Sequence, residues 1–384
     1  MIPLSVPNLK GNELRYLKEC VKTEYVSSVG KYVSLFEKKI CKFTNSKYAV
    51  ACASGTAALQ LALRVVGVKE NDEVIIPTMS FIATANAAIY LKAKPIFMDC
   101  DNYYNLDVKK LILFLKNNTF FKNGFTFNKK TKRKITAIMP VHVSGNAADL
   151  FSLVRLCKKK KIKIVEDAAE AVGTFYNRNN FKQKHAGTIG DVGCLSFNGN
   201  KIITSGGGGM ILTNDMKLAR KAKYLSTQAT DDSVRYIHND IGYNYRLTNI
   251  QAAVGLAQLE KINLFLKKKK KIYEFYKKKI KLIKGLSIPE RPSYAKNNNW
   301  MMSIIIDKKK YGMNKDKLIN LLKKKYIQSR SMWLPIHLQK EYRNFEKYKI
   351  SNAIKLFKNS INIPCSTNLT SEQASQVIKV LKDK

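Results

Sequence analysis

The sequence is poor in acidic residues. Only 28 Asp and Glu stand against 69 Lys and Arg in 384 residues, which gives a formal net charge of +41. A chain this basic could bind nucleic acid or an anionic membrane surface. However, its lysines are spread along the whole chain, and aromatic residues do not interleave with them as binding of a single strand requires. We therefore predict that the protein binds neither nucleic acid nor a membrane. The alternative from another functional class is a basic protein that does bind nucleic acid or a membrane surface.

Paired cysteines, clustered histidines and long apolar runs are also absent. The seven cysteines are scattered without a Cys-x-x-Cys pair, and the four histidines are equally dispersed. This excludes a disulfide framework and predicts no metal site. No apolar run is long enough to span a bilayer, and the N-terminal residues do not resemble a signal peptide. We therefore expect a cytoplasmic protein.

What the chain does contain is an alternation of short apolar segments and helical segments. The predicted strands cover residues 48–52, 73–77, 94–98, 135–141 and 162–166, and the predicted helices between them include 57–66, 81–91, 106–115 and 147–160. Residues 117–134 are polar and are predicted to form an irregular surface loop. Such alternation is typical of an α/β protein with a mainly parallel sheet covered by helices on both faces. The pattern changes near residue 290. We predict a large domain over 1–260, which begins with a helical segment, and a smaller α+β domain over 261–384.

Polar and small residues follow several of these strands. Ser54, Gly55 and Thr56 form a turn between a strand and a helix, while Asp167 and Ser196 end strands. Ligands of such sheets bind beyond the carboxyl ends of the strands. A turn of this kind points backbone N–H groups at an anion, although Ser54 or Thr56 could equally be an ordinary helix cap.

A lysine and an aromatic residue are also predicted at this edge of the sheet. Lys201 lies on a turn of small residues shortly before the glycine run 206–209, and Phe81 is predicted at the start of a helix. Pyridoxal 5′-phosphate needs a lysine for a Schiff base, an acid for its ring nitrogen, an anion site and a flat group against its ring. Taken singly, Lys201 could be a surface lysine, Phe81 a core aromatic and Asp167 a helix cap.

Together, five motifs resemble one known family. They are Ser54-Gly55-Thr56-Ala57-Ala58-Leu59, the segment 77–84, Glu166-Asp167-Ala168-Ala169-Glu170-Ala171, the segment 196–209 and Gly242-Tyr243-Asn244-Tyr245-Arg246-Leu247. The chain resembles the DegT/StrS family of sugar-nucleotide aminotransferases over almost its whole length. This resemblance implies the fold type I architecture of pyridoxal phosphate enzymes, with a seven-stranded type of sheet. Residues 2–9, 26–30, 97–101 and 226–229 look most like the branch from legionaminic acid pathways.

The resemblance also implies roles for individual residues. Lys201 is expected to bind the cofactor covalently and to carry a proton between the amino donor and cofactor carbon C4′. The other cofactor contacts are expected from Asp167 at the ring nitrogen, Phe81 against the ring, Gly55, Thr56 and Ser196 at the phosphate, Glu170, and Asn244 of the partner subunit in a homodimer. The substrate is expected to contact Ser27, Arg246, Arg330 and His337.

The implied reaction moves an amino group, usually from glutamate, to C4 of a nucleotide-linked 4-keto-6-deoxy-N-acetylhexosamine, with UDP and GDP both open. The alternative is a perosamine-type reaction on a GDP-linked 4-keto-6-deoxyhexose that lacks the N-acetyl group. Two positions depart from the family pattern: many relatives have histidine at Asn198 and glutamine at Glu170. Members with histidine in place of the lysine are dehydratases, and the presence of Lys201 argues against that chemistry.

Overall fold

The structure is a computed structural model that describes residues 1–384. Its strands are β1 (Tyr48–Cys52), β2 (Glu73–Pro77), β3 (Lys94–Met98), β4 (Thr119–Lys122), β5 (Phe125–Asn128), β6 (Ile135–Ile138), β7 (Lys163–Asp167), β8 (Phe175–Tyr176), β9 (Val192–Ser196), β10 (Gly209–Thr213), β11 (Thr230–Asp232), β12 (Ile237–His238), β13 (Leu286–Ser287), β14 (Ala295–Lys296), β15 (Met302–Ile306), β16 (Arg330–Ser331), β17 (Lys347–Tyr348) and β18 (Ser360–Ile363).

Its α-helices lie between these strands. They are α1 (Glu13–Lys22), α2 (Lys31–Thr44), α3 (Gly55–Val65), α4 (Ala83–Ile89), α5 (Val108–Asn117), α6 (Phe151–Lys160), α7 (Met216–Ser226), α8 (Asn249–Glu260), α9 (Ile262–Ile280), α10 (Lys308–Tyr311), α11 (Lys315–Lys324), α12 (Asn352–Asn359) and α13 (Ser371–Lys382). None of these helices combines the length and the apolar content that crossing a bilayer requires.

The central sheet has eight strands in the order β1-β10-β9-β7-β6-β2-β3-β17. All neighbouring pairs are parallel except those that β10 makes with β1 and β9. The carboxyl ends of β1, β9, β7, β6 and β2 therefore meet at one edge of the sheet. The α/β architecture with a mainly parallel sheet is confirmed, and the structure adds the two-residue strand β17 to the seven expected strands.

Helices cover both faces of this sheet because its strands are apolar on both sides. Every residue of β2 is buried. Val74 and Ile76 pack into a core cluster that includes residues of α3 and α4, whereas Ile75 packs into the larger cluster on the other face. The sheet is thus packed between two apolar layers, and the turns that follow its strands lie at the edge of this core.

The C-terminal part has a smaller sheet of its own, in the order β13-β15-β18-β16 and antiparallel throughout. Helix α9 precedes this sheet, and β17 leaves the C-terminal part to pair with β3 of the central sheet. The proposed boundary near residue 260 stays a prediction.

Several local predictions were wrong. The strand predicted over 135–141 ends at Ile138, and the helix predicted over 147–160 begins at Phe151. Residues 117–134 contain the antiparallel hairpin β4–β5, whose turn residues Asn123 and Gly124 both have positive φ angles, 50° and 79°. Asn-Gly is the pair that such a two-residue turn favours, so the sequence carried a hairpin signal. The helix predicted over 81–91 spans Ala83–Ile89 instead, so Phe81 precedes this helix.

Candidate active site

One cavity of about 350 Å³ lies at the carboxyl edge of the central sheet. It brings together residues that are far apart in sequence. The predicted site residues that line it are Gly55, Thr56, Phe81, Asp167, Glu170, Ser196 and Lys201. Strands β7 and β9 are parallel neighbours with Asp167 opposite Cys194, so both strands end at this edge and Ser196 lies two residues beyond that pair.

The first turn of α3 and the end of β9 form one wall of this cavity. Ser54 is the helix cap, since its Oγ accepts a hydrogen bond from the Ala57 N–H at 3.0 Å. The N–H groups of Gly55 and Thr56 belong to a first turn, where no intrahelical acceptor is available, and the helix dipole there favours an anion. A Cβ atom on Gly55 would lie 2.8 Å from the Ser196 Cβ, so only glycine lets these two segments approach this closely. This wall fits a phosphate group, and binding of the cofactor phosphate by Gly55, Thr56 and Ser196 stays a prediction.

We expect Gly55→Ala to weaken binding of pyridoxal phosphate about tenfold, because relieving the contact with Ser196 must open this wall. The measurement is an absorbance titration of the cofactor-free protein. Gly199→Ala is the matched control, since a Cβ atom there meets nothing within 4 Å. Equal affinities of the two variants would contradict this account of the wall.

Asp167 is held by a chain of hydroxyl groups. Thr84 Oγ1 donates to Asp167 Oδ2 at 2.7 Å, and the Ser80 hydroxyl lies 2.7 Å from Thr84 Oγ1. Since the Thr84 proton points to the carboxylate, Ser80 is the donor in the second bond. The Ala169 N–H donates to Asp167 Oδ1 at 3.2 Å. Burial raises the pKa of Asp167, while the bonds from Thr84 and Ala169 and the charge of Lys201 act in the opposite direction. A cationic ring nitrogen beside Asp167 would compensate this buried carboxylate.

Lys201 reaches into the cavity from the turn after β9. Its Nζ atom lies 3.4 Å from Glu170 Oε1 and 4.2 Å from the centre of the Trp300 ring. Its side chain is 13% exposed. The ammonium group is thus held between a carboxyl group and an aromatic face, which together fix its direction.

Glu170 is the most perturbed carboxyl group of the cavity. Burial raises its pKa from 4.5 to about 7, and the charge of Lys201 offsets part of this effect. Its Oε2 accepts the Ser144 N–H at 2.7 Å. Near neutral pH this group therefore exists in both protonation states, next to the amine that we assign to catalysis.

This perturbation predicts a pH-dependent stability. In the folded protein Glu170 keeps its proton up to a pH of about 7, whereas the unfolded chain loses it near 4.5. The contribution of Glu170 to the free energy of unfolding is therefore fully present below pH 4.5. It is lost as the pH rises through the folded-state pKa of about 7. Relative to Glu170→Gln, the cofactor-free wild type should therefore lose about 3 kcal/mol of unfolding free energy across this window. Urea unfolding at several pH values measures it, and parallel curves would contradict it.

The cavity offers each group that pyridoxal phosphate requires. The α3 wall suits the phosphate, Asp167 suits the ring nitrogen and Lys201 suits the aldehyde. The Phe81 side chain lines the same cavity and lies with its ring centre 6.4 Å from that of Trp333. The residues therefore fit the cofactor, and their individual roles stay predictions.

The other predicted residues do not line this cavity within one chain. Asn244, Ser27 and Arg330 are exposed, and Arg246 donates through its Nε to Asn244 Oδ1 at 3.3 Å. His337 is buried, and its Nδ1 lies 2.6 Å from the Thr78 hydroxyl at the end of β2. Burial lowers the pKa of His337. Contacts of these five residues with substrate or with the partner's cofactor stay predictions.

Several residues of the cavity were missed from the sequence. They are Ser80, Thr84, Asn200, Trp300 and Trp333. Thr84 lay inside a recognised motif and could have been found there. Trp300 could not, because it stands before β15 in the C-terminal part, and no local pattern there indicates a contact with the active site.

Comparisons with known proteins agree with this geometry. The family model of the DegT/DnrJ/EryC1/StrS aminotransferases matches residues 7–382. GDP-perosamine synthase of Escherichia coli O157:H7 is 36% identical over 383 residues, which are 100% of this chain and 98% of the relative. The UDP-4-amino-4,6-dideoxy-N-acetyl-beta-L-altrosamine transaminase of Campylobacter jejuni is 29% identical, over 98% of this chain and 96% of the relative.

The solved structure of Helicobacter pylori PseC, an aminotransferase of pseudoaminic acid biosynthesis, is similar as well. It superposes with a TM-score of 0.86 at 26% identity, over 99% of this chain and 98% of PseC. These matches extend over both parts of the molecule and over every motif that builds the cavity. The chain belongs to the DegT/DnrJ/EryC1/StrS aminotransferase family, and it is a pyridoxal phosphate-dependent aminotransferase of sugar nucleotides.

Proposed function

We propose that the enzyme transfers an amino group from glutamate to C4 of a GDP-linked 4-keto-6-deoxyhexose, a perosamine-type reaction. The observation that carries this substrate is the 36% identity with a GDP-perosamine synthase over the whole chain, against 29% with the transaminase of an N-acetylated sugar. The comparisons thus favour the alternative from the sequence analysis over the N-acetylated sugar of the legionaminic acid branch.

The residues of the cavity support this chemistry. Bound pyridoxal phosphate supplies an electron sink that is conjugated to the reacting carbon. Asp167 keeps the ring nitrogen protonated, and Thr84 holds the Asp167 carboxylate in position for this contact. Lys201 moves the proton between the α-carbon of the amino donor and C4′ of the cofactor. Glu170, 3.4 Å from the Lys201 amine, keeps that amine directed into the cavity.

We further propose a homodimer in which Asn244 of the partner subunit completes the site. Segments 25–30 and 241–249 are joined, since the Asn249 N–H donates to the Ser27 carbonyl at 2.5 Å. Both segments carry exposed apolar side chains, including Val29 at 68% and Ile241 at 77% exposure. An exposed apolar surface of this kind, next to an exposed Asn244, is typical of a subunit interface.

Mixing two inactive variants tests this shared site. If Lys201 and Asn244 of different chains meet in one site, Lys201→Ala and Asn244→Ala chains should complement each other. Random reassociation then places one intact site in half of the dimers and restores about a quarter of the activity. No recovery, with light scattering showing monomers, would overturn the proposal.

A competition assay tests the substrate. The enzyme receives glutamate with equal amounts of the GDP-linked 4-keto-6-deoxyhexose and of UDP-linked 4-keto-6-deoxy-N-acetylglucosamine, and the products are identified by mass and NMR. We expect amination of the GDP sugar with at least about tenfold higher kcat/KM, since a site built for one sugar leaves polar groups unpaired with the other. Preference for the N-acetylated sugar would overturn the proposed substrate and would leave the cofactor chemistry intact.

A further inference from the structure

Lys269 differs from the other lysines of its helix. In α9 the neighbouring Lys267, Lys270 and Lys271 are exposed, but Lys269 is 2% exposed. No carboxyl group pairs with it, and burial lowers its pKa. A buried ammonium group without a carboxylate partner is costly unless hydrogen bonds compensate it, so the groups to which Lys269 donates are informative.

Those hydrogen bonds go to two strand ends of the smaller sheet. The Lys269 Nζ donates to the Trp300 carbonyl at 2.8 Å, to the Cys365 carbonyl at 2.5 Å and to the Cys365 Sγ at 3.6 Å. Trp300 stands just before β15 and Cys365 just after β18, and these strands are paired, with Met302 opposite Ile363. Lys269 therefore joins the ends of β15 and β18. Trp300, just before β15, also lines the active-site cavity.

Trp300 continues this contact to the catalytic turn. Its indole N–H donates to the Asn200 carbonyl at 2.7 Å, and its ring face lies 4.2 Å from the Lys201 Nζ. One side chain thus contacts both the backbone before Lys201 and the Lys201 ammonium group. Lys269 thus holds the backbone of Trp300, and the Trp300 ring in turn contacts Lys201. These contacts form a continuous series from α9 to Lys201.

We propose that Lys269 is a positioning residue that acts through Trp300 on the Lys201 amine. This inference rests on the catalytic assignment of Lys201. It predicts that loss of the Lys269 ammonium lets Trp300 move and slows the reaction of Lys201 with the cofactor aldehyde, even though Lys269 touches neither. A lysine that only closes a sheet end would lower stability without acting through Trp300.

A double-mutant cycle on cofactor capture separates these two roles. Full-length protein is freed of cofactor and mixed with pyridoxal phosphate, and borohydride trapping followed by peptide mass spectrometry gives the rate of attachment at Lys201. We expect Lys269→Met and Trp300→Leu each to slow capture about tenfold, and the double variant to be slowed about tenfold as well, because both remove the same support. Lys271→Met, an exposed lysine on the same helix, is the control and should capture at the wild-type rate.

Tryptophan fluorescence gives a second reading, because the chain contains only two tryptophans. In a Trp333→Phe background, Trp300 is the single emitter. Acrylamide quenching should rise about twofold on adding Lys269→Met and stay unchanged with Lys271→Met, since a released ring is more open to solvent.

Three results would overturn the proposal: capture by folded Lys269→Met within twofold of the wild type, a roughly hundredfold loss in the double variant, or wild-type capture by Trp300→Leu. The last of these does not depend on whether the Lys269 variant folds. Attachment of the cofactor to another lysine in the wild type would instead refute the assignment of Lys201. A different sugar preference would affect neither the proposed role of Lys269 nor the assignment of Lys201.

Discussion

Lys201→Ala is expected to lower turnover by at least about 1,000-fold, because proton transfer by a positioned side chain contributes 10²- to 10⁴-fold and no other lysine lines the cavity. The variant should still bind pyridoxal phosphate, since Asp167 and the wall formed by the first turn of α3 and the end of β9 are intact. It should not form the covalent link, so the visible absorbance band of the wild type should be lost. Steady-state kinetics with glutamate and the keto sugar, together with absorbance spectra, measure both effects.

The matched control for this variant is Lys217→Ala, which removes an exposed lysine at the start of α7. Its turnover and its spectrum should equal those of the wild type. Turnover by Lys201→Ala within tenfold of the wild type would show that another group moves the proton, and the assignment of the catalytic lysine would then be wrong.

The second large effect is expected at Asp167. Asp167→Asn keeps the size of the side chain and an acceptor for the Thr84 hydroxyl, but it removes the negative charge at the end of β7. The carboxylate that would keep the ring nitrogen of bound pyridoxal phosphate protonated is then missing, so the cofactor would be a weaker electron sink. We expect kcat to fall about 100- to 1,000-fold, the usual cost of removing one preorganised electrostatic contact in an active site.

A change confined to kcat would be the clearest sign of this role. The affinity for pyridoxal phosphate, measured by titration, should fall much less than kcat, because the substitution does not change the first turn of α3 or the end of β9. Asp316→Asn, an exposed position in α11, serves as the control and should be silent. Full turnover by Asp167→Asn would show that this carboxylate does not contact the ring.

Much of the sheet could be predicted because its strands are short apolar segments with clear ends. The predicted ranges 73–77 and 94–98 agree with β2 and β3 as the structure has them. Parallel pairing then determines that the strand ends meet, so Asp167, Ser196 and Gly55 could be placed in one site before any distance was known.

Long-range packing set the limit of prediction. Lys269 stands in a run of five lysines, 267–271, of which three are exposed, yet its own side chain is buried and donates to the Trp300 and Cys365 carbonyls. Periodicity marks apolar faces, and a buried lysine on such a face is not distinguishable by residue type. Trp300 contacts the turn that carries Lys201 from 100 positions away in the chain, and such a long-range contact leaves no local pattern in the sequence.

Peptide mapping after borohydride reduction of the purified enzyme tests the central claim most directly. The chain offers many lysines, so a cofactor that binds without a specific site would label several of them substoichiometrically. We predict one phosphopyridoxyl group per chain, carried by the peptide that contains Lys201. Labelling of a different lysine, or no label on a protein that is active with glutamate and the keto sugar, would contradict the account.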